Sequence, residues 1–129
     1  MSFSELEQLM HPHIRNNEFY HALQHTARYN QVKTVLDIGA SSGEGSTYAF
    51  VEAFQEDPDP PLIFCLEVSK PRFEQLQKNY RHTSHVRCFN FSSIAKNQFP
   101  TPEEVIRFYQ TTHTTLNNVS IEEVLHWLK

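Results

Sequence analysis

At 129 residues the chain is one domain by length, long enough for a real core but short for an elaborate enzyme. Its 15 Asp and Glu outnumber 11 Lys and Arg, so the clustered cations of a DNA- or RNA-binding surface are not indicated. The start, Met1-Ser2-Phe3-Ser4-Glu5-Leu6-Glu7, has neither a basic nor an apolar leader region, and no later run approaches the roughly 18 apolar residues that span a bilayer. The expectation is a cytoplasmic protein with no nucleic-acid or membrane partner.

In chain order, residues 4 to 10 predict a short helical piece that stops before Pro12, because proline disfavours helix in the residue preceding it. From about Asn17 to Tyr29 the apolar positions Phe19, Leu23 and Ala27, with Tyr20 beside them, predict a helix with one buried stripe. Thr34 to Ile38 is a short apolar run that fits a parallel strand covered on both faces. Gly39, Gly43 and Gly45 follow, and Ser46 to about Gln55 reads as a helix ended by the proline-rich turn Glu56 to Pro61. Leu62 to Leu66 is a second apolar strand carrying Glu67 at its end. Ser69 and Pro71 open another helix with Phe73, Leu76 and Tyr80 on one face, and Val86 to Phe91 makes a third strand. Cys65 and Cys88 lie inside strands without a CxxC partner and read as reduced core cysteines. Thr101-Pro102-Glu103-Glu104 and Ser120-Ile121-Glu122-Glu123 are capping boxes that start two tail helices.

The alternation β-α-β-α-β calls for an α/β fold, a Rossmann-like parallel sheet with helices on both faces. In open sheets of that kind ligands bind at the carboxyl ends of the strands. Two features stand there. One is the loop from Asp37 to Ser46, whose glycines allow a sharp turn and a close ligand approach, with helix N–H groups behind it. The other is Glu67, whose two acceptor oxygens match a vicinal ribose diol. A bland reading competes: Gly43 and Gly45 serve only a turn and tight helix packing, Glu67 is a solvated strand end, and Asn90 to Ser92 simply close a strand. A dinucleotide is the rival ligand, although the G-x-x-x-G-x-G spacing departs from the G-x-G-x-x-G fingerprint.

Asp37-x-Gly39-x-x-x-Gly43-x-Gly45, with Glu67 thirty residues on and Asn90-Phe91-Ser92 after the third strand, resembles the class I S-adenosylmethionine-dependent methyltransferases. The stretch Glu67 to Tyr80 is similar to the FkbM-like members in particular. The resemblance covers about residues 32 to 94. It implies a cofactor site for S-adenosylmethionine, with S-adenosylhomocysteine as product, formed by Asp37, Gly39, Ala40, Ser41, Gly43, Gly45, Ser46, Glu67, Val68, Asn90, Phe91 and Ser92. In it Asp37 accepts from the methionine amino group, directly or through water, Glu67 holds the ribose, and Asn90 to Ser92 stand near the adenine with Phe91 able to stack. The methyl acceptor, whether small molecule, sugar or peptide, and the catalytic residues are not legible.

The organisation expected is a helical segment over residues 1–30, a cofactor-binding core over 31–94 and a helical tail over 95–129, read as an insertion before a missing fourth strand. The chain thus reads as the front part of something longer. The family's strand order, 3-2-1-4-5-7-6, would leave the first of three strands as an apolar edge, and chains usually cover such an edge. A second copy, or the tail helices, is expected to do so. A non-catalytic binding or assembly module on the same fold is the alternative function. Glu18, His21 and His25 share a helical face at a spacing that can hold a metal, but such sets are more often solvated, and no metal is assigned to them, to His11-x-His13 or to His82-x-x-His85.

Overall fold

The structure, a computed structural model, describes residues 14–114 and 118–128, and the helix expected over residues 4 to 10 lies outside them. The chain divides into two units, Met1–Ser93 and Ile94–Lys129. In the first, helix α1 (Glu18–Tyr29) precedes β1 (Thr34–Ile38), α2 (Ser46–Ala53), β2 (Leu62–Leu66), α3 (Lys70–Tyr80) and β3 (Val86–Phe89). The three strands form one parallel sheet in the order β1-β2-β3, with Val35 beside Ile63 and Ile63 beside Val86. The expected β-α-β-α-β core is therefore present, and β1 is an edge.

Both crossovers step the same way across the sheet, so right-handed connections put α2 and α3 on one face. The core shows this directly. Ala27 of α1, Phe50 and Val51 of α2 with Phe54 just beyond it, and Leu76 and Tyr80 of α3 pack with Val35, Ile63, Cys65 and Val86. The strand residues of opposite parity form the other face. There the apolar run of β1 predicts cover, yet Leu36 and Ile38 are 60% and 59% exposed, and Leu62 and Phe89 are exposed beside them. Within this unit one side of the sheet is a packed core, and on the other Leu36, Ile38, Leu62 and Phe89 are exposed while Leu66 is buried.

In α1 the buried stripe differs from the one expected. Tyr20, Gln24 and Ala27 are buried, whereas Phe19 is 57% exposed. Polar gripping decides the rotation: Glu52 of α2 accepts from Tyr20 Oη at 2.8 Å and from Gln24 Nε2 at 2.6 Å. Counting apolar residues alone hides this, because the pair that locks the helix is a phenol and an amide. Asn17 caps the helix by accepting from Tyr20 N at 2.9 Å.

In the second unit α4 (Pro102–Thr111) begins with the expected reciprocal box, Thr101 and Glu104 each accepting from the other's backbone N–H. Helix α5 (Ile121–Trp127) begins at Ser120, whose hydroxyl accepts from Glu123 N at 3.2 Å. Tyr109 Oη donates to Val119 O at 2.8 Å and ties the end of α4 to the approach to α5. None of the described helices is long and apolar enough to cross a membrane.

The Tyr20 hydrogen bond holds the Glu52 carboxyl below its usual range of about 4.5, with Gln24 adding to the effect. A carboxylate with a lowered folded pKa contributes stability that is present above the unfolded pKa and lost as pH falls through the folded one. Glu52→Ala, which strands the buried Tyr20 hydroxyl, is expected to lower urea-unfolding stability by about 1–3 kcal/mol at pH 7. The gap from wild type should shrink below pH 4. A gap that does not change with pH would mean that the charge on Glu52 is not what holds α1.

Candidate functional site at the carboxyl ends of the strands

The loop after β1 is shaped by hydrogen bonds within the chain. Gly39 N and Ala40 N both donate to Leu66 O, at 2.9 and 3.0 Å, which extends the β1–β2 pairing past the strand ends. Gly43 N donates to Ala40 O at 2.9 Å, and Ser41 N donates to Glu67 Oε2 at 2.7 Å. The sequence suggested that this loop would offer its N–H groups to a ligand, but those of Gly39, Ala40, Ser41 and Gly43 are spent on the chain itself. The loop therefore keeps its form without a ligand.

The glycines divide into different jobs. Gly39 sits at φ 78°, and a Cβ added there would meet nothing within 4 Å. Gly43 sits at φ 81°, and a Cβ there would run into the Tyr80 ring and come within 2.6 Å of Leu76 Cδ1. Tyr80 also donates its hydroxyl to Gly43 O, and Asn79 Nδ2 donates to Ser42 O at 2.9 Å, so α3 clamps the loop from below. For Gly43 the bland reading, tight helix packing, is what the geometry shows. Gly45 is the N-cap of α2, and its carbonyl accepts from Ala49 N. Ser41 holds a left-handed backbone, φ 54°, which L side chains disfavour and which its bond to Glu67 helps to fix.

Glu67 is only 5% exposed. One carboxylate oxygen takes Ser41 N and the other takes Ser69 N, each at 2.7 Å, so one side chain joins the loop after β1 to the turn before α3. Each oxygen keeps a further lone pair, since a carboxylate has about four acceptor sites. Asn90 completes the join from β3, donating from Nδ2 to Glu67 O at 2.8 Å and Val68 O at 3.2 Å. Val68 and Phe91 are exposed, and the Phe91 ring lies 5.7 Å from that of Phe89.

Asp37, also buried, faces the start of α2. Ser46 Oγ donates to its carboxylate at 2.9 Å and Thr47 Oγ1 donates to Oδ2 at 2.6 Å. Thr47 is fully buried and is a site residue that sequence reasoning missed, although two hydroxyl residues directly after Gly45 were its signal. Ser69 was read as a helix cap through its side chain, yet its contribution is its backbone N–H to Glu67. Tyr80 was read as part of the apolar face of its helix, but nothing in the sequence tied it or Asn79 to the loop positions they hold, 37 residues away.

Glu67, Ser41, Ser69 and Asn90 are thus brought into one network, and Asp37, Ser46 and Thr47 into a second. A cavity of about 480 Å³ lined by Arg28, Lys33, Asp57 and Asp59 lies at the amino ends of β1 and β2. It has neither the glycine loop nor a buried carboxylate, and the site is placed at the carboxyl ends for that reason. Among the described residues there is no group of three or more His, Cys, Asp or Glu able to hold a metal. His25 stacks on Tyr29, and His85 Nε2 is buried without a hydrogen-bond partner, burial lowering its pKa so that the neutral ring packs.

Compared with solved structures, the chain resembles a Staphylococcus aureus protein assigned as a caffeoyl-CoA O-methyltransferase, with a TM-score of 0.53 and 16% identity. The match covers 85% of this chain and 44% of that one. At this identity the likeness is one of fold alone, an α/β architecture with a parallel sheet flanked by helices. The chain spans less than half the length of that neighbour. No family model and no curated protein sequence matches.

The two glycines give a direct test. Gly43→Ala adds a steric clash to backbone strain and should cost about 2–4 kcal/mol, whereas Gly39→Ala carries strain alone, about 1–2 kcal/mol. Thermal melts followed by circular dichroism compare them, and equal costs would contradict the packing described for Gly43.

Proposed function

We propose that this chain is the S-adenosylmethionine-binding portion of a methyltransferase acting on a small-molecule, sugar or peptide acceptor. The observation that carries the reading is the Glu67 carboxylate, buried at the end of β2 and bonded to Ser41 of the glycine loop. It stands where a ribose would lie across the strand ends, beside a Gly39 that leaves open space. The residues fit the cofactor unevenly. Glu67 retains acceptor capacity on both oxygens for a vicinal diol, and the exposed Phe91 offers a ring face to adenine. Asp37 already accepts from two hydroxyls, Ser46 Oγ facing both oxygens and Thr47 Oγ1 on Oδ2, so its part is to orient the first turn of α2, with its remaining acceptor capacity open to an ammonium group. The bound sulfonium would supply the methyl group, and positioning it is what this half of the site does. The finer likeness to FkbM-like members rests on the Glu67 to Tyr80 segment alone.

A second reading, a binding or assembly module without catalysis, is favoured by one specific observation: both carboxylates are already hydrogen-bonded within the chain. Calorimetry separates the cases. S-adenosylhomocysteine is expected to give heat and NAD none, and Glu67→Gln should weaken binding about 10–100-fold, the loss of one to two hydrogen bonds to a charged group. No heat with S-adenosylhomocysteine at any accessible concentration would remove the cofactor reading.

The same reading includes a homo-oligomer that covers the β1 edge and its exposed Leu36 and Ile38. Light scattering on the chain should give a multiple of the 15.1 kDa monomer mass. Leu36→Lys should return it to monomer with its circular dichroism spectrum unchanged. A wild-type chain that is already monomeric would end this part of the proposal.

A further inference from the structure

Cys65 and Cys88 take no part in the site described above, and they stand side by side. They are direct partners across the parallel β2–β3 pair, and both are free thiols. Adjacent strands run about 4.8 Å apart. Direct pairing therefore puts the two Cα atoms inside the range of roughly 4.4–6.8 Å found in disulfides. Both residues belong to the helix-covered face: Cys65 is part of the core cluster and Cys88 packs against it.

Their surroundings differ in the way an attacking and a resolving thiol differ. Cys65 is fully buried, with Thr47 Oγ1 3.7 Å from its sulfur. Cys88 is on the edge strand, only partly buried, and lines a surface cavity of about 390 Å³ together with Gln77, Tyr80, Arg81 and Arg87. A small oxidant can reach it there. The neighbouring Cys65 thiol holds Cys88 below the usual thiol range, while Cys88 and then burial hold Cys65 above it.

We propose that Cys65 and Cys88 form a redox pair that hydrogen peroxide converts reversibly into an intramolecular disulfide, with Cys88 attacking and Cys65 resolving. The Cys88 thiolate attacks one peroxide oxygen, the O–O bond breaks, and hydroxide leaves and takes the proton that Cys88 gave up, forming water. Cys88 is then a sulfenic acid. Cys65 loses its proton and attacks the Cys88 sulfur, the S–O bond breaks, and the departing oxygen leaves as a second water. Over the sequence two thiols lose two hydrogens and one peroxide becomes two waters. Sulfur is oxidised and peroxide oxygen is reduced. The inference does not depend on what the glycine loop binds.

The test is peroxide treatment of the folded, reduced full chain, followed by free-thiol titration and intact mass. Wild type is expected to lose both thiols and two hydrogens of mass as a single chain, and to regain both thiols with dithiothreitol. Oxidation of the native chain should outpace that of the chain unfolded in urea, because only the fold supplies the paired thiols. Cys88→Ser should leave Cys65 unoxidised over the same time, and Cys65→Ser should leave Cys88 carrying added oxygen, with circular dichroism reporting whether each variant folds. Wild type alone decides the matter if a variant does not. Retention of both thiols, addition of oxygen without loss of two hydrogens, or linkage of two chains would each overturn the proposal.

Discussion

The buried carboxylate of Glu67 is the interaction on which the ligand end of this fold depends. Two short backbone hydrogen bonds, from Ser41 and Ser69, bind the turns that leave β1 and β2 to one side chain. Asn90 then attaches the end of β3 to the same place. A charged group with so little exposure persists only when its oxygens are satisfied, and here the satisfying donors belong to the two loops that must be held together. The bonds that hold Glu67 in place thus also give the loop its form. A ligand would find that form ready made, which lowers the ordering cost of binding.

The helical side of the sheet has a comparable economy of parts. Three helices pack on one face, and polar pairs set their rotation and spacing: Glu52 with Tyr20 and Gln24, Asp37 with Ser46 and Thr47. The opposite face carries Leu36, Ile38 and Phe89 into solvent. A monomeric protein rarely keeps a contiguous apolar surface of this kind, so the two sides of one three-stranded sheet pose opposite physical problems. The helix-covered side solves its own within Met1–Ser93.

Position on the sheet also separates the two cysteines. Equivalent residue types at equivalent depths would be a bland core pair. Placement of β3 at the edge gives Cys88 a surface cavity, while Cys65 on the central strand stays enclosed against Thr47. The difference in their chemistry comes from topology.

Much of this was legible in the sequence. Short apolar runs at Thr34 to Ile38 and Leu62 to Leu66, separated by helical patterns, pointed to the parallel β-α-β-α-β core, because alternating strands and helices leave few other connections. The three glycines and Glu67 were legible as a turn and a carboxylate at the carboxyl ends of β1 and β2, where the structure has them. Tertiary structure alone decided the rest. Which face of α1 is buried depended on Glu52, about thirty residues away, and the role of Gly43 depended on Tyr80. Whether the loop's N–H groups face a ligand or the chain depended on the Leu66 carbonyl and on Glu67. Periodicity reports which residues prefer to be buried. Which polar partner each one meets is fixed only when the strands are laid side by side.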